Sequence, residues 1–268
     1  MQRSGPCAVH ETTSVGSLSE AQLIVTLGVD LAAQPKRTAT CLIRWDRGPA
    51  RVESLSLGAT DADLHELFRR ADKIGIDAPF GWPAPFTRSV AAYSAETVWP
   101  SVDAHRLRFR RTDEVVREKL GRWPLSVSSD LIAVPAMRVA KLLAEAAATG
   151  ESIDRSGDGR FVEVYPAAAL HVWGFPSRGY KGAKGATVRG QMVSDLAERT
   201  ADWLILSEED WTRCTASDDM LDALVAALVA RAVAFTGRCE PIPPNDLELA
   251  AEEGWIALRQ PRSLDRLD

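Results

Sequence analysis

The sequence predicts an α/β fold: a five-stranded mixed sheet, part antiparallel meander and part parallel, flanked by helices and carrying a helical insertion. Three observations predict it. Three apolar, branched segments separated by short polar turns fill residues 23–57. An amphipathic segment at 61–71 then leads into another apolar run at 73–76. From 79 to 160, prolines and helical periodicity replace the strand pattern until Phe161. The 268 residues, 46% hydrophobic and 26% charged, suit one large globular domain and exclude a disordered chain.

The elements follow in order. Residues 23–29 form a buried strand that stops at Asp30. A polar turn at 34–37 precedes a second strand at 38–45. Asp46-Arg47-Gly48-Pro49 is turn chemistry, and 50–57 alternates as a third strand. Leu64, Leu67, Phe68 and Ala71 share one helix face, and the fourth strand ends at Asp77. A strand, helix, strand unit favours a parallel return into the same sheet. The inserted helical layer, clearest at 135–149, gives way to a polar loop at 152–160 and a fifth strand at 161–165 with Glu163 in its middle. A Gly/Lys/Arg loop at 177–190 precedes a helix near 188–206. A last long helix, apolar nearly all round, runs from about 217 to 235, and 254–258 suits a short edge strand. The expected organisation is a polar tail over 1–20, one domain over 21–260 and a polar tail over 261–268.

Composition narrows the function. A formal net charge of −5 leaves no global basic field, so a nucleic-acid partner needs a local patch. The four cysteines show no C-x-x-C spacing and suit a reducing compartment. Residues 1–20 lack an apolar stretch suited to a signal peptide, and the apolar run at 220–235 is short and interrupted by Asp222 and Arg231. The expectation is a cytoplasmic protein with no membrane partner.

The carboxylates need explaining. Asp30 and Asp77 each end a hydrophobic strand, and Glu163 sits inside one. Ionised carboxylates there are costly unless paired, hydrogen-bonded or metal-bound. Asp218, Asp219 and Asp222 share a helix face at i, i+3 and i, i+4 spacing, where like charges repel. Turn and cap roles account for some of them: Ser217 or Asp218 is a natural N-cap, and Asp219 complements the helix dipole. Asp222, deeper in the apolar helix, is not explained by capping. Converging carboxylates suit Mg²⁺ or Mn²⁺, and two such ions about 3.5–4 Å apart can clamp the oxygens of a phosphodiester. His10, His65, His105 and His171 show no metal-ligand spacing.

The series Gly28-Val29-Asp30-Leu31-Ala32 and Gly75-Ile76-Asp77-Ala78-Pro79-Phe80-Gly81 resembles the domain of unknown function 429 family, whose members are predicted nucleases of ribonuclease H-like fold. The resemblance continues through Arg111-Thr112-Asp113, Glu163-Val164-Tyr165-Pro166 and Gly179-Tyr180-Lys181-Gly182. It closes with Asp218-Asp219, Asp222-Ala223 and Glu253-Gly254-Trp255-Ile256. It implies a ribonuclease H-like sheet with Asp30, Asp77, Asp219 and Asp222 as ligands of two Mg²⁺ or Mn²⁺ ions. Glu163 would line the same cleft as a further catalytic acid.

Basic residues supply the expected phosphate contacts. Arg106, Arg108, Arg110 and Arg111 crowd together, and Arg178, Lys181, Lys184 and Arg189 punctuate an acid-free loop. Of these, Arg111 (on the resemblance), Lys181 and Lys184 are the expected phosphate-binding residues; a solvated surface is the plain alternative. Trp82, Trp99, Trp123 and Trp173 can stack on bases, though packing is their commoner role. The leading expectation is a metal-dependent nuclease or phosphodiesterase acting on nucleic acid or a nucleotide. A nucleotide-binding phosphotransferase of the actin and sugar-kinase type and a non-enzymatic binding module on the same fold stand as alternatives.

Overall fold

The structure is a computed structural model that describes residues 23–235 and 239–267. The polar tail expected over 1–20 lies outside the described residues. Strands β1 (Ile24–Asp30), β2 (Ala39–Trp45) and β3 (Ala50–Leu57) form the expected antiparallel meander. Helix α1 (Asp61–Arg70) leads to β4 (Lys73–Asp77), which pairs parallel with β1. Thr60 and Asp63 start α1 by a reciprocal capping box, each satisfying the other's backbone N–H. Four helices follow: α2 (Ala84–Glu96), α3 (Ala104–Arg108), α4 (Arg111–Leu120) and α5 (Ala133–Ala148). Then come β5 (Phe161–Glu163), parallel to β4, α6 (Pro166–Val172), α7 (Ala186–Thr200) and β6 (Leu204–Ile205), and finally α8 (Glu208–Ala216), α9 (Asp218–Val233) and α10 (Leu247–Glu253).

The sheet therefore has six strands, in the order β5-β4-β1-β2-β3-β6, where five were expected. The added strand lies inside the span read as one helix at 188–206. Helix α7 stops at Thr200, and Leu204–Ile205 pairs parallel with Ala50 and Arg51. Two residues are too few to carry a period of their own. Strand β5 is shorter than 161–165, because Pro166 opens α6. Of the 254–258 segment, Ile256 bridges to Glu163 in parallel.

Alternation sorts the two faces of the sheet. Leu27 and Val29 of β1 and Ile74 and Ile76 of β4 point to one side, where they pack with α1 and α5 through Leu64, Phe68, Val139 and Leu142. Part of the expected insertion thus belongs to the core. On the other side α9 lies across β1, β4 and β2, within a core shared with α6 and α7. That core also takes up Leu264 and Leu267, both fully buried, while Ser263 Oγ accepts from Trp173 Nε1 at 2.9 Å. Ser263, Leu264 and Leu267 thus anchor the segment expected as a polar tail, while residues 261, 262 and 265 stay exposed. Among the described residues no helix is long and apolar enough to cross a membrane.

A close approach of backbone to backbone lies under α9. Gly28 and Gly75 are directly opposed in the parallel β1/β4 pair. A Cβ on Gly28 would lie 2.0 Å from Ala223 O and 2.2 Å from Ala227 N; one on Gly75 would lie 2.5 Å from Ala226 O. The two glycines let the helix backbone rest on the sheet backbone. Gly28→Ala should therefore cost about 3 kcal/mol or more in a urea melt, because the clash is with backbone that cannot rotate away. Gly48→Ala, whose Cβ would meet nothing nearer than 3.7 Å, should be close to neutral.

Candidate functional site

The glycine pair sets the site two residues downstream. In the same register Asp30 opposes Asp77 at the C-terminal ends of β1 and β4, on the face that α9 covers. With the helix seated on the glycines, Asp222 in its second turn comes down beside them. One carboxylate oxygen from each of Asp30, Asp77 and Asp222 lies within 4.8 Å of the others. Asp222 is fully buried, and its Oδ1 accepts from the Tyr180 hydroxyl at 2.9 Å. Its Oδ2 lies 2.7 Å from Lys181 Nζ.

Tyr180 and Lys181 reach the cluster from a fixed loop. Buried Arg189 donates to the carbonyls of Tyr180 at 2.5 Å, Gly182 at 3.1 Å, Thr215 at 2.8 Å and Ala216 at 3.0 Å. It is a clamp between the loop and the end of α8, and the solvated or phosphate-facing role open to it from sequence does not hold. Gly182 N donates to Asp218 Oδ1, tying the loop to the start of α9.

Burial raises all three carboxyls above the usual aspartate range. Asp30 is pushed well up by desolvation, then by the charges of Asp222 and Asp77. Desolvation takes Asp77 to about 7, with Lys181 opposing the rise and Asp222 adding to it. Asp222 is raised by burial, against the pull of Lys181 and Tyr180. Burial alone would lower Lys181, but Asp222, Asp77 and Asp30 outweigh it and hold the ammonium charged.

Other expected site residues are placed elsewhere. Asp219 is not among the three that meet within 4.8 Å, although its charge still acts on Asp30; exposed Arg37 donates to both its oxygens, through Nε at 2.8 Å and Nη2 at 2.9 Å. Glu163 is the partner of buried Arg110, whose fork donates to both its oxygens at 2.7 and 2.8 Å and also engages Asp113. Phe80 N donates to Glu163 Oε2 at 2.9 Å, so this acid fixes the chain after β4. Arg111 does not present a phosphate-binding guanidinium: Nε faces both oxygens of Asp246 at 3.1 Å, and Nη1 reaches Glu114 at 2.9 Å. Lys184 is exposed on a short turn and does not line the cleft. His65 pairs with Glu145, Trp173 is buried, and Trp123 stacks on Phe109 at 4.2 Å.

A cleft of about 400 Å³ opens at Asp77 and Lys181. Arg122, Arg178, Tyr165, Pro124, Leu125 and Ile132 also line it. Arg122 donates to Ser177 O at 3.0 Å, and its guanidinium lies 6.0 Å from the Tyr165 ring centre. Sequence reasoning missed Arg122 and the anchoring role of Tyr180. Nothing in the local spacing marks Arg122, whereas Tyr180 stands in the Gly179-Tyr180-Lys181-Gly182 motif.

Comparison with known proteins gives one family. The family model described as "Protein of unknown function (DUF429)" matches residues 28–248, a span containing all three clustered aspartates, the Lys181 loop and the cleft lining from Asp77 to Lys181. Neither the curated proteins nor the solved structures give a match.

Two outcomes follow from this electrostatic arrangement. Removing Arg110 leaves two buried carboxylates without their cation, so Arg110→Met should cost about 3–5 kcal/mol in chemical denaturation. Glu163→Gln should cost less, since Arg110 keeps Asp113. The clustered aspartates behave differently with pH. A carboxyl raised in the folded state keeps a proton that the unfolded chain has lost, so its stabilisation is full below about pH 4. It is lost as pH rises through about 7 for Asp77. Metal-free protein should therefore lose stability across that window, and Asp77→Asn should flatten the loss. A melting series at fixed ionic strength reads this; identical slopes for both proteins would exclude it.

Proposed function

The chain belongs to the DUF429 family, and from that premise and the carboxylate cluster we propose a Mg²⁺- or Mn²⁺-dependent hydrolase of phosphate esters in nucleic acid or nucleotides. One observation carries the proposal: Asp30, Asp77 and Asp222 come from three different elements and present oxygens within 4.8 Å of one another, Asp222 fully buried and the two strand-end aspartates half-buried. An all-carboxylate donor set suits a hard divalent cation, and the ammonium of Lys181 already lies against it as a counter-charge. The strand order supports a ribonuclease H-like reading, since β4 and β5 extend a three-stranded meander in parallel beyond β1.

Such a cation, when bound, would activate water and neutralise charge on a phosphate ester. Asp30, Asp77 and Asp222 would hold it. For two ions the converging donors are fewer than the sequence suggests, because Asp219 lies outside the three-carboxylate group and is paired with exposed Arg37; a second ion would need Asp219 released from that pair or oxygens supplied by the substrate. Asp77 belongs both to the cluster and to the cleft wall, so bound substrate lies next to the metal ligands. Lys181, at the same junction, offers its charge to a phosphate oxygen.

A second reading, a non-catalytic fold in which Lys181 permanently neutralises the cluster, is favoured by the 2.7 Å contact between Lys181 and Asp222. Paired melts separate the two. Under the hydrolase reading, Asp30→Asn raises or preserves metal-free stability, because it relieves repulsion, and abolishes stabilisation by Mn²⁺. For the wild type at 100-fold excess over its Kd, that stabilisation is about 2.7 kcal/mol. Asp222→Asn should also lose the Mn²⁺ response. Labelled single- and double-stranded oligonucleotides should be cut with Mn²⁺ by the wild type alone. A wild type that ignores Mn²⁺ in both assays leaves the second reading standing.

A further inference from the structure

The cleft beside the cluster is a built site with a chemistry of its own. Its arginines divide into two kinds. Arg110 is already committed to Asp113 and Glu163. Arg122 and Arg178, among the described residues, make no ion pair with a carboxylate, although both line the cleft. Arg122 is held in place by Ser177 O and the Tyr165 ring, which prepares a guanidinium for an anion at little further ordering cost. Lys181, which also lies 2.7 Å from Asp222, lines the same cleft as Asp77 and adds a third positive charge to it.

The rest of the lining selects against a bare anion. Pro124, Leu125 and Ile132 are apolar and Tyr165 is aromatic, so this part of the cleft suits a planar ring better than a sugar's hydroxyls. The volume, about 400 Å³, is at the small-molecule end of the range for ligand sites, roughly 300–1,000 Å³. That admits one such unit and not several in a row.

We infer that this cleft seats a single phosphorylated nucleoside, its phosphate toward Arg122, Arg178 and Lys181 and its base against Tyr165 and the Leu125 wall. The inference takes its reacting end, Asp77, from the hydrolase reading above, but binding in the cleft needs no metal. The same chemistry comes from two sources, a free nucleotide or the terminal nucleotide of a strand. An internal position of a continuous strand would have to thread neighbours through a space sized for one.

The test is calorimetric titration of the full chain in EDTA with nucleoside 5′- and 3′-monophosphates, the parent nucleosides and inorganic phosphate. A monophosphate should bind about tenfold or more tighter than either part alone, as expected when a charge-assisted contact is added to an apolar one. Arg178 is exposed, so Arg178→Glu should weaken binding at least as much without moving the melting temperature. Leu125→Glu, which puts a carboxylate in the apolar wall, should do the same. Equal affinity for nucleoside and monophosphate, or unchanged binding by both variants, would overturn the inference. Competition then identifies the source. Displacement by a linear phosphorylated oligonucleotide selects a strand terminus, and displacement by free nucleotide alone selects a small substrate. Equal displacement by a closed circular strand contradicts the single-nucleotide site. Binding in EDTA by a protein that ignores Mn²⁺ would uphold the cleft and remove the hydrolase; a Mn²⁺ response without nucleotide binding would do the reverse.

Discussion

The contact on which the site depends is backbone against backbone, where α9 rests on Gly28 and Gly75. Side chains normally hold a helix about 10 Å from a sheet, as they do between stacked sheets. Here two opposed glycines remove that spacer, and the facing turn of α9 offers Ala223, Ala226 and Ala227. The consequence is positional. Strand period two puts Asp30 and Asp77 on the face that carries the glycines, and the lowered helix brings Asp222 within reach of both. A larger residue at 28 or 75 would lift the helix and separate the three carboxylates before any of them was altered.

Bringing them together has a cost, which the protein meets in three ways. Desolvation and mutual repulsion raise the aspartate pKa values, which favours their neutral forms. Tyr180 donates to Asp222, and Lys181 adds a positive charge. Arg189 then fixes the loop that carries both, through four backbone carbonyls. Glu163, only one strand away, is treated differently: a buried arginine takes both its oxygens. The two acids look alike in sequence, each embedded in or ending an apolar strand, and the counter-ion alone separates them.

Period and turn chemistry were enough to read the meander, α1, β4, and α9 from sequence, because each is long or sharply punctuated. The family resemblance placed Asp30, Asp77 and Asp222 together. What failed is what depends on tertiary partners. Asp219 and Asp222 share a helix face, yet only Asp222 joins the cluster, and Arg37, 182 residues away from Asp219, pairs with the other. Arg111 looked available because Asp246 is distant in sequence. Leu264 and Leu267 were too sparse to register as an apolar segment, although three-residue spacing turns both into the core. Strand β6 is defined by its pairing with β3 and carries no pattern of its own.

The choice of counter-ion distinguishes structural acids from those of the candidate site. The buried guanidinium fork against Glu163 and Asp113 is planar and two-pronged, and losing it leaves charges without a geometric substitute. Lys181 is a point charge on a flexible stem, with its side chain 55% exposed although its ammonium reaches a buried carboxylate. It arrives on a loop with glycines in the left-handed region on both sides, Gly179 at φ 76° and Gly182 at φ 68°. A compact cation with its own approach from solvent can take over such a charge, whereas it cannot replace a buried fork without unpacking the core. That asymmetry sets Asp30, Asp77 and Asp222 apart from the acids held by the buried arginine, and of the three Asp77 also lines the cleft.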